Sequence, residues 1–316
     1  MFWGYVIPRA KITPIMHTLR LLVITCCLGA TLVHAADEHP GQTFKTDAVT
    51  LYYETLGTAP GTPLVVANGG PGFDHTYMHL SDVWDTLAKA RRVILYDQRG
   101  VGRSSPIAAG QSCTLRDQIE DLEALRAHIG AEQIDLLGHS WGGYLVMAYA
   151  ARYPQHIRRL LIVDSAAPKL SDTLFLFKDV FPEGVAREDA AEFASQMGDK
   201  AARIKSLREY FSMLFYSPEK RDVALAKLTD VDENVAVNEA ITHDLERFDL
   251  NPELPKYSFP AIVMTGRYDI NVAAAVAYKI HKAIPGSQFV VFDQSGHLPF
   301  YEEPAKFLQT VESFLK

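Results

Sequence analysis

Cysteine is scarce in this chain: three in 316 residues. Two of them, Cys26 and Cys27, sit in the front segment, and Cys113 is alone in everything that follows. A disulfide framework is thereby excluded, and stability has to come from a buried core. Long apolar runs are also lacking. The stretch LLVITCCLGATLV covers residues 21–33, and at about 1.5 Å per residue it reaches roughly 20 Å, short of the ~30 Å hydrocarbon layer. Basic charge is in deficit, with 31 Lys and Arg against 38 Asp and Glu, which argues against binding a phosphate backbone. There is no internal repeat, low-complexity tract or heptad run, so solenoids and coiled coils are set aside. Nor does an H-E-x-x-H pattern accompany His75 and His79. Four residues apart, they would suit a metal on a helix, but without a third ligand they read as surface or packing residues.

What is present begins with a removable front end. Arg20, the short apolar run and the small residues Ala35 and Ala36 read as a secretory signal peptide over residues 1–36, cleaved after Ala35 or Ala36. Met16 offers an alternative start that would leave residues 1–15 upstream. Thr25 occupies the place before Cys26 where a lipoprotein site wants a small residue. The expectation is export to the periplasm with no stable membrane anchor after cleavage. Removing Arg9, Lys11 and Arg20 leaves 28 basic residues facing 38 acidic ones, a mature charge of about −10, so no nucleic-acid partner is expected.

Hydrophobic composition is 48%, ordinary for a globular chain with a large core. The segment LYYETLG (residues 51–57) alternates and predicts an antiparallel strand near a sheet edge. TPLVVAN (62–68), RRVILYD (91–97), QIDLLGH (133–139), RRLLIVDS (158–165), FPAIVMTG (259–266) and SQFVVFD (287–293) are short continuous apolar runs, suited to parallel strands buried on both faces. Between them, residues 114–130 place Leu115, Ile119, Leu122, Leu125 and Ile129 on one helical stripe, and residues 142–154 predict a buried helix ending before Pro154. The pattern predicts an α/β fold with a mostly parallel sheet and helices on both faces. Residues 166–255 break the rhythm with helical periodicity and no convincing strand. From 170 to 249 they carry 17 acids against 10 bases. This segment is expected to form a helical cap between two parts of a core, 37–165 and 256–316, over the carboxyl edge where open α/β sheets bind ligands.

GHSWGG at 138–143 lies between a predicted strand and a predicted helix, the setting of a nucleophile elbow. Serine needs a base held by a third group, and on such a sheet the order should be Ser, acid, His. Asp269 follows the strand AIVMTG, and His297 follows QFVVFD. Ser140, Asp269 and His297 therefore form the expected catalytic triad. Asp293 competes for the acid's role but ends a strand rather than following one. NGGPG at 68–72 follows a core strand, where glycine allows backbone amides near a substrate. The expected oxyanion donors are the amides of Gly70 and Trp141.

These residues resemble the α/β-hydrolase fold family, and within it the proline iminopeptidase-like branch. The resemblance rests on NGGPG, YDQRGVGRSS (96–105), GHSWGG, GRYD (266–269) and SGH (295–297), and runs from about residue 44 to the end. It implies release of N-terminal residues, often proline, from short peptides, with no metal or cofactor. It also implies Glu239, within VNEAITHDLERFD (237–249), as the carboxylate that binds the substrate's free amine. Two positions depart from the family: Asn68 stands where histidine is usual, and Ile270 where some members carry a second amine-binding glutamate. Two other readings stay open, an esterase, lactonase or amidase that ignores the amine, and a hydrolase-like binding protein without turnover. The oligomeric state is not legible.

Overall fold

The computed structural model describes residues 40–316 except 198 and 229–232; the expected signal peptide lies outside them. Eight strands form one sheet: β1 (Gln42–Lys45), β2 (Thr50–Leu56), β3 (Leu64–Ala67), β4 (Val93–Asp97), β5 (Ile134–His139), β6 (Ile157–Val163), β7 (Ala261–Gly266) and β8 (Gln288–Phe292). Their spatial order is β1-β2-β4-β3-β5-β6-β7-β8. β1 pairs β2 and β2 pairs β4 antiparallel, and every later pairing is parallel. Each apolar run named above contributes one strand. β1 carries no such signal, because it is a four-residue edge strand with one buried side chain, Phe44.

Alternation within the runs explains why they are continuous. Val65, Leu136, Leu160, Ile162 and Val263 face one apolar layer, while Leu64, Val66, Leu137, Leu161, Val163 and Met264 face the other. A strand covered on both sides has no solvent face on which to place a polar residue.

The helices are α1 (Val83–Ala88), α2 (Leu115–His128), α3 (Trp141–Arg152), α4 (Phe177–Val180), α5 (Pro182–Gln196), α6 (Lys200–Ser212), α7 (Pro218–Lys227), α8 (Val235–Leu245), α9 (Ala274–Ala283), α10 (Pro299–Glu302) and α11 (Pro304–Phe314). α2 starts where the sequence signals it. Thr114 accepts from the Asp117 amide, and Asp117 accepts from that of Thr114, a reciprocal cap that stabilises a helix by about 1 kcal/mol. α3 is buried along most of its length, and its apolar face stays against β5 and β6. Between β6 and β7 the chain leaves the sheet, and α4 to α8 follow one another there. The one described bridge in this stretch joins Glu233 to Phe73, and Phe73 follows the loop after β3.

Candidate active site

The turn between β5 and α3 holds Ser140 at φ 58°, ψ −122°, a backbone state that costs a non-glycine residue about 1–3 kcal/mol. The surroundings enforce it. The Ser140 amide donates to the Val163 carbonyl at 2.9 Å, and its carbonyl accepts from Gly143 at 2.9 Å. Its glycine neighbours are required by space rather than by backbone angle. A Cβ on Gly142 would collide with the Ala67 carbonyl oxygen and lie 2.6 Å from that of Asn68. One on Gly138 would collide with the Gly142 carbonyl. α3 thus sits directly against the end of β3, which brings its first amide, that of Trp141, beside the loop 68–72. No helix offers that amide an internal acceptor.

His297 and Asp269 converge on Ser140 from the ends of β8 and β7. Nδ1 of His297 donates to Oδ2 of Asp269 at 2.7 Å, and all three residues are buried. Asp269 Oδ1 accepts from the amides of Asn271 and Val272, each at 2.9 Å, so the carboxylate is fixed by its own loop. With Nδ1 protonated, Nε2 is the acceptor. Among the described residues its hydrogen-bond partner is Nδ2 of Asn271 at 2.9 Å, not Oγ of Ser140. Asp293 does not join them: it is exposed and paired with Arg267 and Lys306. Asp164, at the end of β6, is buried next to Asp269 and accepts from the Gly266 amide at 2.8 Å. Burial and the charge of Asp269 push its carboxyl well above the ordinary carboxylate range.

The loop after β3 is fastened from several sides. Asn68 Nδ2 donates to the carbonyls of Gly69, Phe73 and Asp74, closing the loop upon itself. The Gly69 amide donates to the Tyr77 hydroxyl, which donates to Nδ1 of His139 at 2.7 Å, and His139 Nε2 donates to the His297 carbonyl at 2.7 Å. Burial, then the neighbouring His297, holds His139 well below the usual histidine range, so it serves as a neutral strut. A Cβ on Gly69 would lie 2.9 Å from Cβ of Ser140.

The DQRGVGRS segment acts as a clasp on the same loop. Gln98 donates to the Asn68 carbonyl at 2.9 Å and accepts from the Trp141 indole at 2.7 Å. Asp97 accepts from both the amide and Nδ1 of His75, and from the Arg103 amide. Arg99 grips Asp121 of α2 through two bonds of 2.6 and 2.8 Å. Gly102 has φ +53°, and its Cβ would lie 2.6 Å from the Asp97 carboxyl carbon. His75 and His79, read from the sequence as surface or packing residues without a third ligand, turn out to share an acidic neighbour, Glu54. His75 is fully buried between Asp97 (2.6 Å) and Glu54 (3.1 Å), and His79 meets Glu54 at 2.9 Å. Glu54, on β2, groups with both imidazoles within 4.8 Å, and Arg103 sits 2.8 Å from the same carboxylate. Burial opposes charge on His75, but the hydrogen bond to Asp97 and the adjacent Glu54 carboxylate push it up to about 9. The cluster is a buried ion network at the foot of the loop.

Two spaces meet here. A slot over Ser140 is lined by Gly69, Gly70, Phe73, Phe211, Leu214 and Leu298, among others. A chamber of about 270 Å³ adjoins it, sharing Gly70, Phe73 and Tyr210, and its wall carries Glu188, Glu192 and Glu233 around Arg203. Arg203 contacts Glu192 at 2.8 Å and also Glu233. Asn238 donates to Glu233 at 2.9 Å. Burial, then the charges of Asp189, Glu192 and Glu233, raise the Glu188 carboxyl; burial raises that of Glu233 against the pull of Arg203. Glu239 is not in this wall. It lies exposed on α8, one residue past Asn238, because the buried stripe of that helix runs through Val237, Ile241 and Leu245. Sequence reasoning also missed Tyr77, His139, Asn271 and Tyr210. His139 stands inside GHSWGG itself, so its place was the one readable signal among them.

Three comparisons bear on this geometry. A profile of the alpha/beta hydrolase fold matches residues 62–304. A proline iminopeptidase of Clostridium botulinum is 30% identical over 287 residues, covering 84% of this chain and 94% of that protein. One of Saccharolobus solfataricus is 31% identical over 278 residues, covering 80% and 84%. Among solved structures, a thermophilic esterase from Thermogutta terrifontis superposes with a TM-score of 0.66 at 26% identity, covering 87% of this chain and 98% of that one.

Proposed function

This chain belongs to the α/β-hydrolase fold family and is a serine hydrolase, and from that premise we propose that it is an aminopeptidase of the proline iminopeptidase type, releasing an N-terminal prolyl or small apolar residue from short peptides. Ser140 Oγ attacks the scissile carbonyl. His297 Nε2 takes the hydroxyl proton and returns it to the departing amine, while Asp269 orients the ring and stabilises the imidazolium. The amides of Gly70 and Trp141 receive the oxyanion. In the second half of the cycle water attacks the acyl-enzyme with the same base.

The observation that carries the choice of peptide over ester is the acidic chamber beside the slot. Three carboxylates against one guanidinium leave a net charge of −2 when all are ionised, and burial, with a smaller share from neighbouring acids, raises both Glu188 and Glu233. A substrate's α-ammonium supplies the missing positive charge, with its acyl carbon one residue away in the slot. The amine anchor thus moves from Glu239 to the Glu188, Glu192 and Glu233 wall. Supporting this reading further are the proline iminopeptidases at about 30% identity.

The rival reading, an esterase or lactonase, draws on the apolar slot walls Phe211, Leu214 and Leu298 and on the esterase likeness. Proline-anilide and alanine-anilide, each with free and acetylated amines, beside a short acyl ester, separate the two. The aminopeptidase reading expects turnover of the free-amine anilides, with acetylation and Glu233→Gln each raising KM tenfold or more, an effect of ~1.4 kcal/mol. Equal turnover of acetylated and free substrates would make the protein an esterase or amidase. Residues 166–255 serve in this reading as the cap, between core segments 37–165 and 256–316, and residues 1–36 as a signal peptide for periplasmic export. No metal or cofactor is called for.

A further inference from the structure

A histidine that is to act as general base for Ser140 should have its Nε2 facing Oγ. In this structure that nitrogen is engaged elsewhere. Asn271 Nδ2 donates to it at 2.9 Å, and a nitrogen lone pair that is already accepting one hydrogen bond cannot also take the serine hydroxyl proton. The competitor is firmly held. The Asn271 backbone amide donates to Asp269 Oδ1 at 2.9 Å, so one carboxylate fixes the imidazole through one oxygen and the backbone of the competing residue through the other. Asn271 is buried, and His297 and Ser140 both line the slot.

We propose that Asn271 is a positioning residue that holds His297 away from Ser140 in the resting enzyme, and that an acyl group entering the slot releases this hold. A substrate placed in the slot, which His297 and Ser140 line together, displaces the Asn271 side chain from Nε2, and Nε2 turns to Ser140. The base is thereby delivered when an acyl group is present and withheld from water-filled or reagent-exposed states. No covalent step is added; one acceptor exchanges one donor for another. The inference rests on the assignment of Ser140, Asp269 and His297 made above, and not on the choice between peptide and ester.

The test begins with a signal that needs no turnover. In protein labelled with ¹⁵N-histidine, the Nε2 resonance of His297, assigned by its loss in His297→Gln, reports what that nitrogen accepts. Ser140→Ala should leave the resonance where it stands in the wild type, and Asn271→Ala should move it. The reverse pattern overturns the proposal. A second arm measures the rate of covalent labelling by a fluorophosphonate. Freed of its competitor, His297 should activate Ser140 more often, so Asn271→Ala should label about two- to tenfold faster, the range that one net hydrogen bond commands. An unchanged or slower rate overturns it. Asn271→Leu keeps the size of the side chain and removes its donor, so it carries the same expectation of faster labelling if Asn271→Ala does not fold. Failure of the aminopeptidase reading shows separately, as indifference to acetylation, and leaves these results untouched.

Discussion

Replacing His75 with glutamine should convert a pH-dependent part of the stability into a constant one. His75 lies buried against Asp97 at 2.6 Å and Glu54 at 3.1 Å, stacked near the Tyr52 ring at 5.9 Å. Its affinity for a proton rises from an ordinary 6.5 to about 9 on folding, because the hydrogen bond to Asp97 and the adjacent Glu54 carboxylate overcome the burial that alone would lower it. At about 1.4 kcal/mol per pH unit, this corresponds to roughly 3 kcal/mol of stabilisation. The folded value lies above the unfolded one, so the contribution is complete below about pH 6.5 and is lost as pH rises through about 9. Glu54 and Asp97 shift the opposite way: burial would raise both, but their partners hold them below the carboxylate range. Their share is present at neutral pH and lost in acid. Urea unfolding of wild type and His75→Gln at pH 6, 7.5, 9 and 10 checks this. The difference between the two proteins should shrink by roughly 3 kcal/mol from pH 6 to pH 10. Tyrosine and lysine titrations common to both cancel in that difference. A gap that stays constant across the range would refute the assignment of His75 as a buried imidazolium, and with it the view of this network as the electrostatic foot of the loop 68–72.

Two further predictions follow from the packing. Gly142→Ala should cost about 1–3 kcal/mol through overpacking against β3, because the new methyl meets backbone carbonyls of Ala67 and Asn68 that cannot swing away. It should also move the Trp141 amide, with a fall in kcat on the order of a hundredfold for a displacement of about 1 Å, measured as labelling rate and turnover on protein whose circular dichroism is unchanged. Arg99→Ala should destabilise by about 3–5 kcal/mol by leaving Asp121 buried without its partner, read from the urea midpoint. Replacing both by apolar residues, Arg99→Met with Asp121→Leu, should recover most of the loss.

Local signals explain why parts of the site were readable. Ser140 stands in a strand–turn–helix passage whose glycines are needed because α3 presses on β3, and that requirement is written into six consecutive residues. Asp269 and His297 each follow an apolar run that can only be a buried strand, so their place at the sheet's carboxyl edge follows from chain order. The DQRGVGRS segment was recognisable as a pattern, but its meaning was not. That Gln98 ties Asn68 to Trp141, or that Asp97 holds His75, depends on β4 lying next to β3 in space.

The misplacements have a common origin. Glu239 and Asn238 are adjacent in the chain, yet a helix turns them through about 100°, and only the burial of Val237 and Ile241 decides which of them faces the chamber. Glu54 on β2, Glu188 and Glu192 on α5, and Glu233 before α8 come from different stretches of chain, so their meetings with His75 and Arg203 are invisible along it. Sequence alone determined the fold class, the order of the strands' apolar runs and the three residues of the expected triad, because each rests on the identity and spacing of near neighbours. Tertiary structure alone decided which carboxylates line the chamber beside the slot, which nitrogen of His297 is engaged and by whom, and how the loop after β3 is held. Those are contacts of long sequence separation, set by how helices and strands pack, and no local pattern encodes them.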